Sequence, residues 1–117
     1  MSAPHRRLTV HVLDATRGVP AVGVRVSLAR LGGAAGVAAE LARTRTDADG
    51  RSPTPLLAGD DLTSGDYEIS FALGDYFGLA DRFLDIVPVR FVVRDTDLHV
   101  HIAVLATAWS YTTYRGS

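Results

Sequence analysis

The sequence contains no cysteine. That excludes a disulfide scaffold, a thiolate-ligated metal and any thiol nucleophile. An excess of charge of either sign is also missing. Twelve basic residues face thirteen acidic ones, for a formal net charge of −1, and the arginines are scattered rather than blocked. Nothing here draws the chain toward nucleic acid or an anionic membrane. Long apolar runs are absent too, so no stretch approaches the length of a membrane-crossing helix. The basic start, MSAPHRRLTV, has no apolar segment behind it and does not read as a secretory signal. A cytoplasmic protein is expected. There is no G-x-S-x-G turn for a serine nucleophile. The GGAAG stretch lacks both the phosphate-loop lysine and the dinucleotide glycine spacing.

What is present is a supply of apolar residues, 47% of the chain, which is enough for a true core. One domain spanning residues 1–117 is expected. RLTVHVLD alternates, with Leu8, Val10 and Val12 on one face and Thr9, His11 and Leu13 on the other. VRVSLARL, DYEISFAL, VPVRFVVRD, LHVHIAVLA and AWSYTTY read as further strands, and VAAELARTRT as an exposed one. GDYFGLADRF reads as a short helical or irregular connection, and DADG as a turn. Seven or eight short strands with little helix predict an all-β, two-sheet antiparallel sandwich with one short helix.

The stretch LHVHIAVLA concentrates the chemistry. Leu98, Val100, Ile102, Val104 and Ala106 form its core face, leaving His99, His101, Ala103 and Leu105 opposite. Residues two apart on a strand lie roughly 6.5–7 Å apart on one side. His11 also faces away from Val10 and Val12, so histidines stand beside Ala and Leu on outward strand faces. Either these rings are simply solvated, or the face is covered by another subunit and holds a polar pocket. Three histidines could also ligate zinc with an open fourth position, but nothing fixes a third ligand. TDADGR fails as a calcium loop, because the alignment puts Arg45 at the first ligand position and Leu56 where a bidentate Glu is required. It reads as a turn with Arg51 at its mouth.

Taken together, LTVHVLDATRGVPAVGVRVSL, TDADGR and HVHIAVLATAWSYTTYRGS resemble the 5-hydroxyisourate hydrolases of the transthyretin-like family, over nearly the whole chain. The Tyr-Arg-Gly-Ser ending after an H-x-H strand is the specific part, and it argues for the hydrolase over the hormone carrier. The resemblance implies a transthyretin-like β-sandwich assembled as a homotetramer, with sites where subunits meet. It implies hydrolytic ring opening of 5-hydroxyisourate with no cofactor and no metal. It assigns catalytic roles to His11, Arg51, His101 and Ser117, and substrate binding to Tyr114, Arg115, Gly116 and His99. The family pattern has an aromatic and prolines where Val100, Ala103 and Ala108 stand here. Those departures touch packing rather than chemical groups. The small-molecule substrate is the expected partner, with neither nucleic acid nor membrane.

The implied reaction needs a positioned water, a base for its proton and donors for the developing oxyanion. A neutral imidazole suits the base, and His11 and His101 both qualify. Arg51 offers a planar fork of donors to urate-like oxygens. Gly116 lets the backbone enter a pocket without a side-chain clash. Tyr114 and Ser117 supply hydroxyls, and Ser117 also carries the α-carboxylate. A silent transthyretin-type binding module is one alternative, and the His11, Arg51 and His101 set argues against it; a β-sandwich adhesion or regulatory domain is the other, and it leaves the terminal motif unexplained.

Overall fold

Alternation of apolar and polar residues divides this chain into strands that can bury one face only, and two such faces close on each other. The structure, a computed structural model, describes residues 6–32, 39–78 and 83–116. Residues 33–36 of the expected GGAAG loop, residues 79–82 of the expected helical connection, and Ser117 lie outside these. The strands are β1 (Arg7–Asp14), β2 (Val19–Pro20), β3 (Arg25–Arg30), β4 (Ala39–Arg45), β5 (Leu57–Ala58), β6 (Gly65–Ala72), β7 (Ile86–Val93), β8 (His99–Ala106) and β9 (Tyr111–Gly116). One short helix, α1 (Leu73–Phe77), joins β6 to β7. One sheet runs β2-β1-β8-β9, with β5 also on β1; the other runs β4-β3-β6-β7. The all-β sandwich with one short helix is therefore what the chain forms. Within it, β1 and β8 run parallel rather than antiparallel.

The core is the slab between the sheets. Leu8, Val10 and Val12 of β1 and Val100, Ile102 and Val104 of β8 meet Val26 and Leu28 of β3 and Tyr67, Ile69 and Phe71 of β6. Burying each large apolar side chain contributes about 1.5–3 kcal/mol. Asp14, at the end of β1, is buried but fully engaged. It accepts from the backbone N–H groups of Thr16 and Arg17 and from the Tyr76 hydroxyl at 2.9 Å. This ties α1 to β1. Burial first, then the hydrogen bond to Asp14, raises the Tyr76 pKa.

Three local expectations change. Leu98, placed on the core face from alternation, is 61% exposed because β8 begins only at His99. Trp109 is not in the last strand but in a turn. The Thr107 hydroxyl accepts from the backbone N–H groups of Trp109 and Ser110 and curls the chain there, and the Trp109 ring stacks on Phe83 at 5.9 Å. The two-residue strands β2 and β5 add to the count, each too short to leave a periodic pattern.

The edge of β1 away from β8 is occupied by three segments: β5 at Arg7 and Leu8, Arg51 at His11, and β2 at Leu13 and Asp14. Gly50 makes the middle contact possible. It has φ 77°, its carbonyl accepts from the Val12 N–H at 2.8 Å, and it has no room for a side chain. A Cβ there would run into the Val12 carbonyl oxygen and lie 3.2 Å from Pro20 Cβ. Gly50→Ala should therefore cost at least about 1–2 kcal/mol from the left-handed backbone alone, seen as a lower urea midpoint at unchanged slope. A midpoint equal to that of the parent would show that this turn is not rigidly held.

Candidate active site

The site grows from one register. β1 and β8 pair in parallel with Thr9 opposite His101, Arg7 opposite His99 and His11 opposite Ala103. Side chains of paired residues share a face, so Thr9, His11, His99 and His101 project together from the side of the sheet away from the core. The Thr9 hydroxyl oxygen lies 2.7 Å from His99 Nε2 and 2.7 Å from His101 Nδ1. The His99 and His101 rings are 5.7 Å apart between centroids, and His11 and His101 are 6.4 Å apart.

Arg51 arrives from the DADG turn. Asp47 shapes that turn by accepting from Asp49 N–H and Arg51 N–H through its carboxylate. The Asp47 N–H donates to the Arg51 carbonyl at 2.8 Å, and an isolated bridge pairs the backbone of Arg51 with His11. Arg7, Thr9, Arg51, Ser52, His99 and His101 line a cleft of about 290 Å³, near the lower limit for small-molecule sites, ~300 Å³. The Ser52 hydroxyl is buried there with no hydrogen-bond partner among the described residues.

A larger groove of about 580 Å³ lies on the other sheet, beside Arg25, Arg43 and Arg45. Its cations are already occupied: Arg25 pairs with Asp75, Arg43 with Glu40, and Arg45 donates to the Gly23 carbonyl. The smaller cleft holds the groups able to move protons.

Both strand histidines are held below the ordinary histidine pKa. For His101 the causes are burial first, then the charges of His99, Arg51 and His11; for His99, burial first, then Arg7 and Arg115. The rings are therefore neutral near pH 7. The zinc alternative needs ring nitrogens converging on one point, and two of them converge on the Thr9 hydroxyl instead. Among the described residues, no group of three His, Cys, Asp or Glu is arranged to hold a metal ion.

The tail is an ordered edge strand. β9 pairs antiparallel with β8, with Gly116 opposite His101 and Tyr114 opposite Ala103, so both lie on the histidine face. A Cβ at Gly116 would collide with His101 Cδ2 and sit 3.3 Å from Cγ, so only glycine allows β9 to close over that ring. The Arg115 guanidinium turns elsewhere, donating to Asp97 Oδ1 and to the His99 carbonyl at 3.2 Å each. Asp97 is held below the usual carboxylate pKa first by the Arg94 backbone N–H and then, against a counter-effect of burial, by Arg115. Ser117 lies outside the described residues. Of the residues named from sequence, His11, Arg51, His99, His101 and Gly116 converge. Thr9 and Ser52 were not among them, although Thr9 shares the alternating face of His11.

The sequence pattern of the HIUase/Transthyretin family matches residues 8–116. The chain belongs to the HIUase/Transthyretin family. Among its relatives in that family, a Deinococcus radiodurans protein named 5-hydroxyisourate hydrolase is 46% identical over 118 residues, spanning 97% of this chain and 98% of that protein. The structure of Klebsiella pneumoniae 5-hydroxyisourate hydrolase is 33% identical with a TM-score of 0.79, and the match covers 96% of this chain and 99% of that one. Sea bream transthyretin in complex with thyroxine superimposes with a TM-score of 0.86 at 26% identity, covering 94% of each chain. Backbone shape thus unites the two branches of the family, while sequence leans toward the hydrolases.

The lowered histidine values carry a sign. As pH falls, the unfolded chain takes up protons near its ordinary value of about 6.5 before the folded rings do. The associated stability is present above that value and is lost as pH falls through the folded-state values. Proton NMR of the His99 and His101 rings should give titration midpoints below about 6.5, with the melting temperature declining over the same range. A midpoint above that value for either ring would contradict the desolvated, cation-flanked site.

Proposed function

We propose that this chain catalyses the hydrolysis of 5-hydroxyisourate in the cleft between β1, β8 and the Arg51 turn, in the urate-degrading branch of purine metabolism, without a cofactor. The observation that carries this reading is the His101 imidazole, held through Nδ1 at the Thr9 hydroxyl with Nε2 left for water, with a second imidazole 6.4 Å away and an arginine at the rim. His101 takes a proton from water as the oxygen adds to a ring carbonyl carbon of the substrate. Arg51 and His11 hold the oxygen that gains charge. The ring C–N bond then breaks, and the proton held on His101 passes to the departing nitrogen.

Tyr114 and the backbone at Gly116 face the substrate. A catalytic part for Ser117, the next residue, rests on the resemblance of the Tyr-Arg-Gly-Ser ending. His99 acts behind His101. Arg115 fastens the closing strand through Asp97 and acts on the substrate only through the position of that strand. The small cleft suits a planar heterocycle rich in hydrogen-bonding groups.

The unit is one domain over residues 1–117, and it acts as a homotetramer in the cytoplasm. The histidine face carries Leu105 and a Tyr114 that is 54% exposed, apolar surface that a second copy would cover. No helix among the described residues is long and apolar enough to cross a membrane. The non-catalytic alternative draws support from the thyroxine-bound transthyretin superposition, but it gives the paired imidazoles no work to do.

The test generates 5-hydroxyisourate from urate with urate oxidase and follows the decay of its absorbance. The protein should speed that decay far beyond the spontaneous rate. Arg51→Lys keeps the charge but loses the fork, and should lower turnover by about 10²-fold, the usual cost of removing one oxyanion donor. Decay at the spontaneous rate with the parent protein would rule out the hydrolase reading. Full activity in the lysine variant would reduce Arg51 to a surface charge. Light scattering of the same samples should give the mass of four chains, and a stable monomer would remove the shared-site arrangement.

A further inference from the structure

The Thr9 hydroxyl carries one hydrogen yet lies 2.7 Å from two ring nitrogens, His99 Nε2 and His101 Nδ1. Both contacts are hydrogen bonds only if the hydroxyl donates to one nitrogen and accepts from the other. Two arrangements satisfy this. In the first, Thr9 donates to His101 Nδ1 and accepts from His99 Nε2–H, which leaves the neutral His101 proton on Nε2. In the second, His101 Nδ1–H donates to Thr9 while Thr9 donates to His99 Nε2, which leaves His101 Nε2 bare. Only the second leaves a lone pair on the His101 nitrogen not bound to Thr9.

We propose that Thr9 and His99 together fix the tautomer of His101, with His99 accepting the Thr9 proton so that His101 Nδ1–H donates to Thr9 and Nε2 stays free as a base. The inference rests on the hydrolytic reading for its consequence, but not for its geometry. Thr9 is a positioning residue that acts through the His101 ring. The arrangement does the work that a carboxylate does behind the histidine of a catalytic triad, orienting the ring and choosing its tautomer, with a neutral acceptor in place of an anion. When Nε2 takes the water proton, the imidazolium keeps its Nδ1–H bond to Thr9, so no side chain has to reorient during the step.

The surroundings fit this role. His101 is confined on one side by Thr9, its pairing partner in β1, and on the other by the Cβ-free backbone of Gly116, its pairing partner in β9. The ring thus lies between the Thr9 hydroxyl and the Gly116 backbone. Thr9 itself is fixed by the strand pairing on either side of it, Leu8 to Val100 and Val10 to Ile102.

The test reads the tautomer directly, by long-range proton–nitrogen correlation NMR on protein labelled at histidine nitrogen, at a pH where the rings are neutral. The parent protein should show His101 protonated at Nδ1. Thr9→Ser should preserve that state, and Thr9→Val should shift His101 toward Nε2 protonation. In the 5-hydroxyisourate assay, Thr9→Val should lower kcat by about 10- to 100-fold, the range seen when a partner behind a functional histidine is lost. KM should move much less, and Thr9→Ser should recover most of the turnover. His101 protonated at Nε2 in the parent protein overturns the proposal, as does a Thr9→Val protein with unchanged tautomer and kcat. Should Thr9→Val fail to fold, the tautomer in the parent and serine forms still decides. Should the parent lack hydrolase activity while the tautomer behaves as stated, the functional reading fails and this inference stands.

Discussion

The parallel pairing of β1 with β8 is the contact on which both halves of this molecule depend. Its eight paired positions bring residues 7–14 against residues 99–106. Because side chains alternate with a period of two, a slip of one residue would send Thr9 and His11 into the core and Leu8, Val10 and Val12 out into solvent. The apolar face thus enforces the register, and the register assembles the histidines. Stability and chemistry are two faces of the same ladder.

Around that pair, every neighbouring element limits the freedom of a functional group. β9 closes one side with a glycine where a side chain would displace His101. The Asp47 turn closes the other, delivering Arg51 to the backbone of His11. Arg115 pins the end of β9 to Asp97 and the carbonyl of His99. Partial burial and nearby cations keep the His99 and His101 rings neutral, which a base acting near pH 7 requires. Preorganised groups of this kind cost little to align during the reaction.

Much of this was legible in the sequence, for a physical reason. Leu8, Val10 and Val12 against Thr9, His11 and Leu13 is a period-two signal, and a sandwich reads such signals faithfully. Asp47, Asp49 and Gly50 announced their turn through residue chemistry, and the ending at Tyr114, Arg115 and Gly116 through its resemblance. Other features lay beyond any local window. Nothing near residue 9 shows that its neighbour is residue 101, so the sequence marks Thr9 only as a residue on the face of His11. The parallel neighbours β1 and β8 are separated in sequence by all four strands of the other sheet. Leu98 and Trp109 misled because alternation does not mark where a strand stops, and the Thr107 hydroxyl ends one pattern early. Arg115 looks from sequence like an anion-binding residue, and its structural partner, Asp97, stands 18 residues away.

In the proposed reaction His101 Nε2 is the proton acceptor. The most direct measurement is the turnover number of His101→Asn with saturating 5-hydroxyisourate. Asparagine places a polar atom near the position of Nδ1, keeping a partner for Thr9 while removing Nε2. The expected result is a loss in kcat of at least about 10²-fold, the usual contribution of general base catalysis, with little change in melting temperature. A folded His101→Asn protein that turns over within a few-fold of the parent would contradict it.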